Sequence, residues 1–447
     1  MGKQGIYPGP SGGEGGYDVA VIGAGPAGLA VACAAREAGA QRVLVIERNT
    51  EPGGILPQCI HNGFGLRIFD SDLTGPEYAM RWIARAEALD VEILLDTMVL
   101  TMDGAGRLTA TNGRQGLIDI EARAIVAGMG CRERPLGALA IPGARPAGVY
   151  TAGTAQRLVN MDGYMPGERT VILGSGDIGM IMARRMTLEG AQVVAMVEAL
   201  PYIGGLRRNL VQCVRDFGIP LYLSTTIVEV RGRERVEAVV IADVDPDAHS
   251  GPGGRLPTKA GSERELACDT LLLSVGLIPE NELSRMAGVA LDPLTGGPLV
   301  DERLQTNVPG VFAAGNVLHV YDLVDDVTES ALRAGRYAAE YTGPDEAPSS
   351  TVAVRAGENV RHVVPQRLHA DMAEAHIQFR ARTPIEAPTR AIVRIDDQVV
   401  ATRRLRYARP SEMVTVPLGP EVRPRLADAR EVSVHLLSVE EEDTKRG

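Results

Sequence analysis

A chain of 447 residues, 45% hydrophobic and 23% charged, is too long for one ordinary core and has the composition of a soluble globular protein with two or three domains. Its net charge of -11 and 4% aromatic content argue against nucleic acid or an anionic membrane surface as partner. No apolar run reaches the ~18 residues a membrane span needs. Five scattered cysteines with no CxxC predict a reducing cytoplasm, with neither a disulfide framework nor a metal site.

The opening "MGKQGIYPGPSGGEGG" lacks an apolar core and reads as a flexible tail over residues 1–16, not a signal peptide. From Tyr17 to Glu47 the pattern changes. Val19–Ile22 reads as a buried parallel strand, followed by Gly23, Gly25 and Gly28 in GxGxxG spacing and an alanine-rich helix. A second apolar strand, Val43–Ile46, ends on Glu47, 19 residues after Gly28. The glycines turn the chain, admit a pyrophosphate to the backbone and let helix pack on strand, while Glu47 can accept hydrogen bonds from ribose hydroxyls. Pro26 and Ala27 inside the turn and Arg48 beside the acid complete the candidate contacts.

The stretch "GGILPQCIHNGFG", Gly53 to Gly65, adds Gly54 as a candidate contact and Cys59 and His61 as candidate catalytic residues. As a nucleophile, Cys59 needs a thiolate favoured by a helix N-terminus or by protonated His61; otherwise it is a small apolar lining residue. Imidazole at His61 can move a proton near neutral pH, or it only positions a ring. Further on, Arg169 to Glu198 repeats the first unit. Gly174, Gly176 and Gly179 carry the spacing, Asp177 and Ile178 lie in the turn, and Glu198 falls 19 residues after the last glycine. Two such units imply two adenine dinucleotides, or one site grown vestigial. An acid at Glu198 favours a free 2′-hydroxyl, hence NAD over NADP, since Arg207 and Arg208 lie nine or more residues beyond it.

Three further stretches, "ARAIVAGMGCRERP", "LLLSVGLIPENEL" and "TNVPGVFAAGNVL", complete a pattern over residues 17 to 343 that resembles the two-dinucleotide-binding-domain flavoproteins related to glutathione reductase. The resemblance implies an α/β fold of two Rossmann-like domains, with FAD in the first and NAD(H) in the second. It places Gly130 and Gly276 at the crossovers and Gly315 and Asn316 in the second FAD fingerprint, where Asn316 stands for the usual aspartate and can still bond a ribityl hydroxyl. It brings the backbone at Val99 to the adenine, and Val327 and Thr328 to the flavin. The helix carrying the last two reads as capped near Asp326 or Thr328. Disulfide reductases of this kind carry a CxxxxC pair whose positions here are Leu56 and His61, so a dithiol relay at that place is excluded.

The domains expected are 17–147 with 269–343 for FAD, 148–268 for NAD, and 351–447 as a C-terminal β-rich domain beyond a turn-rich linker. In the last, "AHIQFRART", "TRAIVRIDD", "QVVATRRLRY" and "EVSVHLLSV" alternate at strand spacing, and His376 and His435 read as strand residues. A narrower likeness runs to FAD-dependent oxidoreductases that accompany anaerobic-type glycerol-3-phosphate dehydrogenase, and to the α-subunits of proline dehydrogenase, opine oxidase and hydrogen cyanide synthase. It implies an oligomer in which a second flavoprotein dehydrogenase subunit oxidises a small-molecule substrate and this chain carries electrons to or from NAD(H). The rivals are a stand-alone NADH oxidase or thiol-linked reductase using Cys59, and a scaffold subunit with a vestigial site.

Overall fold

The computed structural model describes residues 16–248, 255–343 and 350–438; the expected N-terminal tail over 1–15 and the linker residues 344–349 lie outside them. The chain divides into two units, one of residues 1–131 with 279–447 and one of residues 132–278. From sequence the crossings are expected at 147/148 and 268/269. In the structure they fall at 131/132 and 278/279, the second because Thr270–Leu273 pairs in parallel with both Arg169–Leu173 and Val149–Thr151, inside the sheet of the second unit.

In the first unit, strands Glu92–Leu94, Val43–Ile46, Tyr17–Ile22 and Gly116–Ala127 lie side by side, and Val311–Ala313 pairs with the end of the last. The parallel strands are apolar on both faces because helices cover one face, where Val19, Val21 and Val45 point, and the antiparallel meander covers the other, where Ala20, Ile22 and Leu44 meet Val99, Leu108 and Ile120. Gly116–Ala127 shows the rule changing within one strand. Residues 116–121 belong to an antiparallel meander, and burial alternates from Leu117 to Arg123, whereas Ala124–Ala127, inside the parallel sheet, are all buried. Helix α1 (Pro26–Glu37) follows the first strand, and α2 (Gly75–Ala88) starts on a Thr74–Glu77 capping box.

The second unit has a five-stranded parallel sheet with Arg169–Leu173 between Thr270–Leu273 and Gln192–Val197, and a separate three-stranded antiparallel sheet. Its helices include α3 (Ala152–Arg157), capped by the Thr151 side chain, and α4 (Asp177–Leu188). The chain then re-enters the first unit, where α5 (Val324–Glu340) lies against α1. A Cβ at Gly335 would run into the Val31 carbonyl oxygen and come within 2.9 Å of the Ala34 Cβ, so only glycine allows this approach.

The C-terminal domain of the first unit is a sandwich of five and three strands. Val354, Ile377, Phe379, Val393, Val434 and Leu436 fill its core. All four segments expected from alternation are strands; Thr351–Ala356, Val360–Val364, Arg367–His369 and Val414–Leu418 join them. His435 lies on a strand, its Nδ1 accepting the Glu358 N–H at 3.1 Å.

Candidate dinucleotide sites

The glycine turn of the first unit is forced by sterics. Gly23 has φ +101 and a Cβ there would lie 2.7 Å from the Gly128 oxygen, while a Cβ at Gly28 would be driven into the Gly23 carbonyl. Glu47 is 4% exposed, and its two carboxylate oxygens accept the N–H groups of Ala24 at 2.8 Å and Asn49 at 2.9 Å. Its remaining lone pairs can accept ribose hydroxyls. The chain then doubles back. Gly53 N–H donates to Ala24 O at 2.8 Å, and Gly54 crosses Gly25 so closely that a Cβ would lie 2.8 Å from the Gly25 Cα. Arg48 is exposed beside this cradle.

The second fingerprint meets the same turn, since a Cβ at Gly315 would lie 2.7 Å from the Ala27 Cβ and 3.2 Å from a Val327 methyl. Gly25, Ala27, Gly54, Gly315 and Val327 are thus brought together. Asn316 accepts the Tyr321 N–H on Oδ1 at 3.0 Å and directs Nδ2 to the Cys131 sulfur at 3.7 Å. Helix α5 begins at Val324, ahead of the expected cap at Asp326 or Thr328, with Leu323 as its N-cap. The Thr328 side chain is fully buried and its hydroxyl lies 2.7 Å from that of Tyr78, so its side chain faces α2 and only its backbone is left for a ligand. Val99 is buried opposite Ala110 in the meander, which likewise leaves the backbone.

The second unit repeats the first at a constant offset of 151 residues: Gly23, Gly25, Gly28 and Glu47 become Gly174, Gly176, Gly179 and Glu198. Glu198, 7% exposed, accepts the Ser175 N–H at 2.9 Å and the Leu200 N–H at 2.9 Å, the same bonds Glu47 makes to Ala24 and Asn49. The repeat reaches two residues that the motif spacing alone passes over. Gly204 and Gly205 match Gly53 and Gly54, the Gly204 N–H donating to Ser175 Oγ at 2.8 Å; their signal in the sequence is the glycine pair six and seven residues after each acid. Asp177 stands where the first unit has Pro26 and accepts the Leu206 N–H at 2.9 Å and the Asn209 amide at 2.6 Å, while Ile178 is half-buried beside it. Gly130 and Gly276 hold positive φ with open space around them, so conformation alone selects glycine there.

These residues fit dinucleotides for a further reason. Among the described α-helices of six residues or more, α1, α4 and α5 start without a side-chain cap, whereas α2 and α3 are capped; the short helices Arg207–Asn209, Glu282–Met286 and Arg423–Leu426 are uncapped as well. An uncapped start leaves N–H groups and the positive end of the helix dipole for an anionic ligand.

Cys59 sits beneath the start of α2. Its carbonyl accepts the Gly75 N–H at 2.8 Å, and a Cβ at Gly75 would lie 2.8 Å from the Cys59 Cβ. Burial pushes the Cys59 thiol up to about 12, which keeps it protonated at neutral pH. His61 is half-exposed, with its ring 5.1 Å from that of Phe64 and Nδ1 2.9 Å from the Asn62 oxygen.

Residues 17–338 match the pyridine nucleotide-disulphide oxidoreductase family. The chain is similar to an opine oxidase subunit of Agrobacterium tumefaciens (strain Ach5), 26% identical over 90% of this chain and 79% of that protein. It is also similar to the HcnB subunit of hydrogen cyanide synthase from Pseudomonas protegens, 24% identical over 71% of this chain and 68% of that protein. Among solved structures, thioredoxin reductase of T. acidophilum shares the fold, with a TM-score of 0.59 at 22% identity over 72% of this chain and 98% of that one. No helix among the described residues is long and apolar enough to cross a membrane.

Proposed function

Because the chain belongs to the pyridine nucleotide-disulphide oxidoreductase family, and is an oxidoreductase that uses FAD and NAD(P)H, we propose that it passes electrons between NAD(H) and a second redox partner without a thiol relay. The observation that carries this reading is the duplicated cradle, a glycine turn, a buried acid and a glycine pair in each unit. It supports two intact dinucleotide sites over a scaffold with one vestigial site. The partner is a second dehydrogenase subunit, a reading supported by the names of the opine oxidase and hydrogen cyanide synthase relatives, which are themselves subunits. Bound FAD supplies the hydride chemistry, and the chain's own work is to bind and align. Glu47 and Glu198 hold their turns and accept ribose hydroxyls, and the starts of α1 and α4 offer backbone N–H groups to phosphate.

The nicotinamide preference follows from Glu198. Its carboxylate accepts from a 2′-hydroxyl but repels a 2′-phosphate. NADH is therefore expected to reduce the bound flavin at least tenfold faster than NADPH at equal sub-saturating concentrations, about 1.4 kcal/mol. Anaerobic stopped-flow with each nucleotide decides it, and equal rates or a faster NADPH reaction count against the assignment.

The absence of a thiol step rests on Leu56 and His61 standing where a cysteine pair would be, which leaves Cys59, half-buried and with its thiol pushed up, as the single cysteine of that stretch. Cys59→Ser is expected to leave NADH-to-dye turnover within about tenfold. His61→Ala costs more, because the imidazole both positions a ring and can shuttle a proton. A serine variant that keeps FAD yet loses nearly all turnover overturns the thiol-free reading.

A further inference from the structure

Strand Ala375–Ala381 of the C-terminal domain points Ile377, Phe379 and Ala381 into its own core, and by alternation points Gln378 and Arg380 the other way. Both are buried, and a buried guanidinium is costly unless its donors are matched. Arg380 meets that demand with one segment of the dinucleotide domain and one carbonyl of its own domain. Its Nη2 donates to Val320 O at 2.9 Å and to Asp322 Oδ1 at 2.6 Å, and its Nη1 to Pro410 O at 3.0 Å. Asp322 Oδ2 accepts the Met413 N–H at 3.0 Å. Beside it, Gln378 Oε1 accepts the Tyr321 hydroxyl at 3.0 Å, with His319 Nε2 at 3.4 Å.

Arg380 and Asp322 form the charged pair inside this cluster, with Arg333 of α5 facing Tyr321. Burial holds His319 well below the ordinary histidine value, and His362 is lowered to about 4, so both are neutral near pH 7. Four consecutive residues, His319 to Asp322, are therefore gripped by the C-terminal domain. They lie between the second fingerprint, Gly315–Asn316, and the uncapped start of α5. The grip also orients Asn316. The Tyr321 N–H is a donor, so it must meet the amide oxygen of Asn316, which leaves Nδ2 as the donor at the other end.

We propose that the C-terminal β domain is a flavin-positioning element, in which Arg380 and Gln378 fix residues 319–322 so that the Asn316 amide N–H and the start of α5 keep one set relation. The domain also holds residues 300–305, Gln366 accepting the Val300 N–H at 2.9 Å and Glu302 accepting the His369 N–H at 3.0 Å, so what sets the hold on 319–322 apart is its place between the second fingerprint and α5. The same domain also makes an ordinary surface pair, Arg336 with Glu374 at 2.9 Å, both side chains nearly half exposed, on the same helix α5. That pair is the control.

The test uses the full chain, stripped of flavin and titrated with FAD by fluorescence, with the midpoint potential of the bound flavin measured against a reference dye. Arg380→Met and Gln378→Leu are expected to weaken FAD binding at least tenfold and to shift the potential, while Glu374→Gln leaves both at the wild-type values. Arg380→Lys regains part of the affinity, since an ammonium gathers its three donors on one nitrogen and cannot span the acceptors that Nη1 and Nη2 reach separately. Should Arg380→Met fail to fold, Gln378→Leu alone decides. Wild-type affinity and potential in either folded variant, or an equal change in Glu374→Gln, overturns the proposal. Neither readout involves the nicotinamide or the electron partner, so a failure here is distinct from a failure of the functional reading.

Discussion

Gly28→Ala is expected to give a protein that no longer retains FAD. The added Cβ is driven into the Gly23 carbonyl oxygen and lies 3.3 Å from a Val21 methyl. Neither neighbour can retreat. Gly23 is itself pressed on the Gly128 backbone, and Val21 is wholly buried in the central strand. Helix α1 must therefore lift from the sheet, taking its open N-terminus away from the position Glu47 defines. The FAD dissociation constant should rise at least a hundredfold, about 2.7 kcal/mol. Flavin absorbance of the purified variant and titration with added FAD measure this, with circular dichroism reporting the fold. A folded Gly28→Ala protein carrying stoichiometric FAD would show the turn to be more pliant than its contacts imply.

The same change 151 residues later should separate the two sites. In Gly179→Ala the new methyl lies 2.8 Å from the Ser274 Cβ and 2.9 Å from the Gly174 oxygen, and it disturbs a backbone N–H that donates to Ser274 Oγ at 3.0 Å. FAD should stay bound while the rate of flavin reduction by NADH falls at least a hundredfold, about 2.7 kcal/mol. Reduction by dithionite, which needs no nucleotide site, should be unchanged. If NADH reduces the variant as fast as wild type, the second unit does not hold the reacting nucleotide and the scaffold reading gains.

The parts of the fold legible in the sequence are those where sterics leave one residue type. Gly23, Gly28, Gly174 and Gly179 face backbone at distances no side chain tolerates, so their spacing survives as a pattern. The start of α5 is hidden for the opposite reason. Cap reading looks for Ser, Thr, Asp or Asn, and a helix that keeps its N-terminus open begins on Leu323 with no such mark. The domain crossing is hidden because an apolar strand such as Thr270–Leu273 does not say which of two parallel sheets it joins. Thr328 is legible from its place on the helix, but its rotation about the helix axis turns its hydroxyl to Tyr78, 250 residues away. Arg380 and Asp322, 58 residues apart, form a pair no local pattern announces.

The seam between α1 and α5 bears on how the chain is made. Helix α1 is complete by residue 37, yet the helix that covers it begins at residue 324, and strand Val311–Ala313, which pairs with the end of Gly116–Ala127, arrives only shortly before. During synthesis the first 131 residues therefore wait, with Phe312, Ala331 and Ala334 still missing from their apolar core and one sheet edge unpaired. The second unit, contiguous in sequence, can form in that interval. Closure of the first comes late and over a long loop, whose ends are brought together only once α5 has been made.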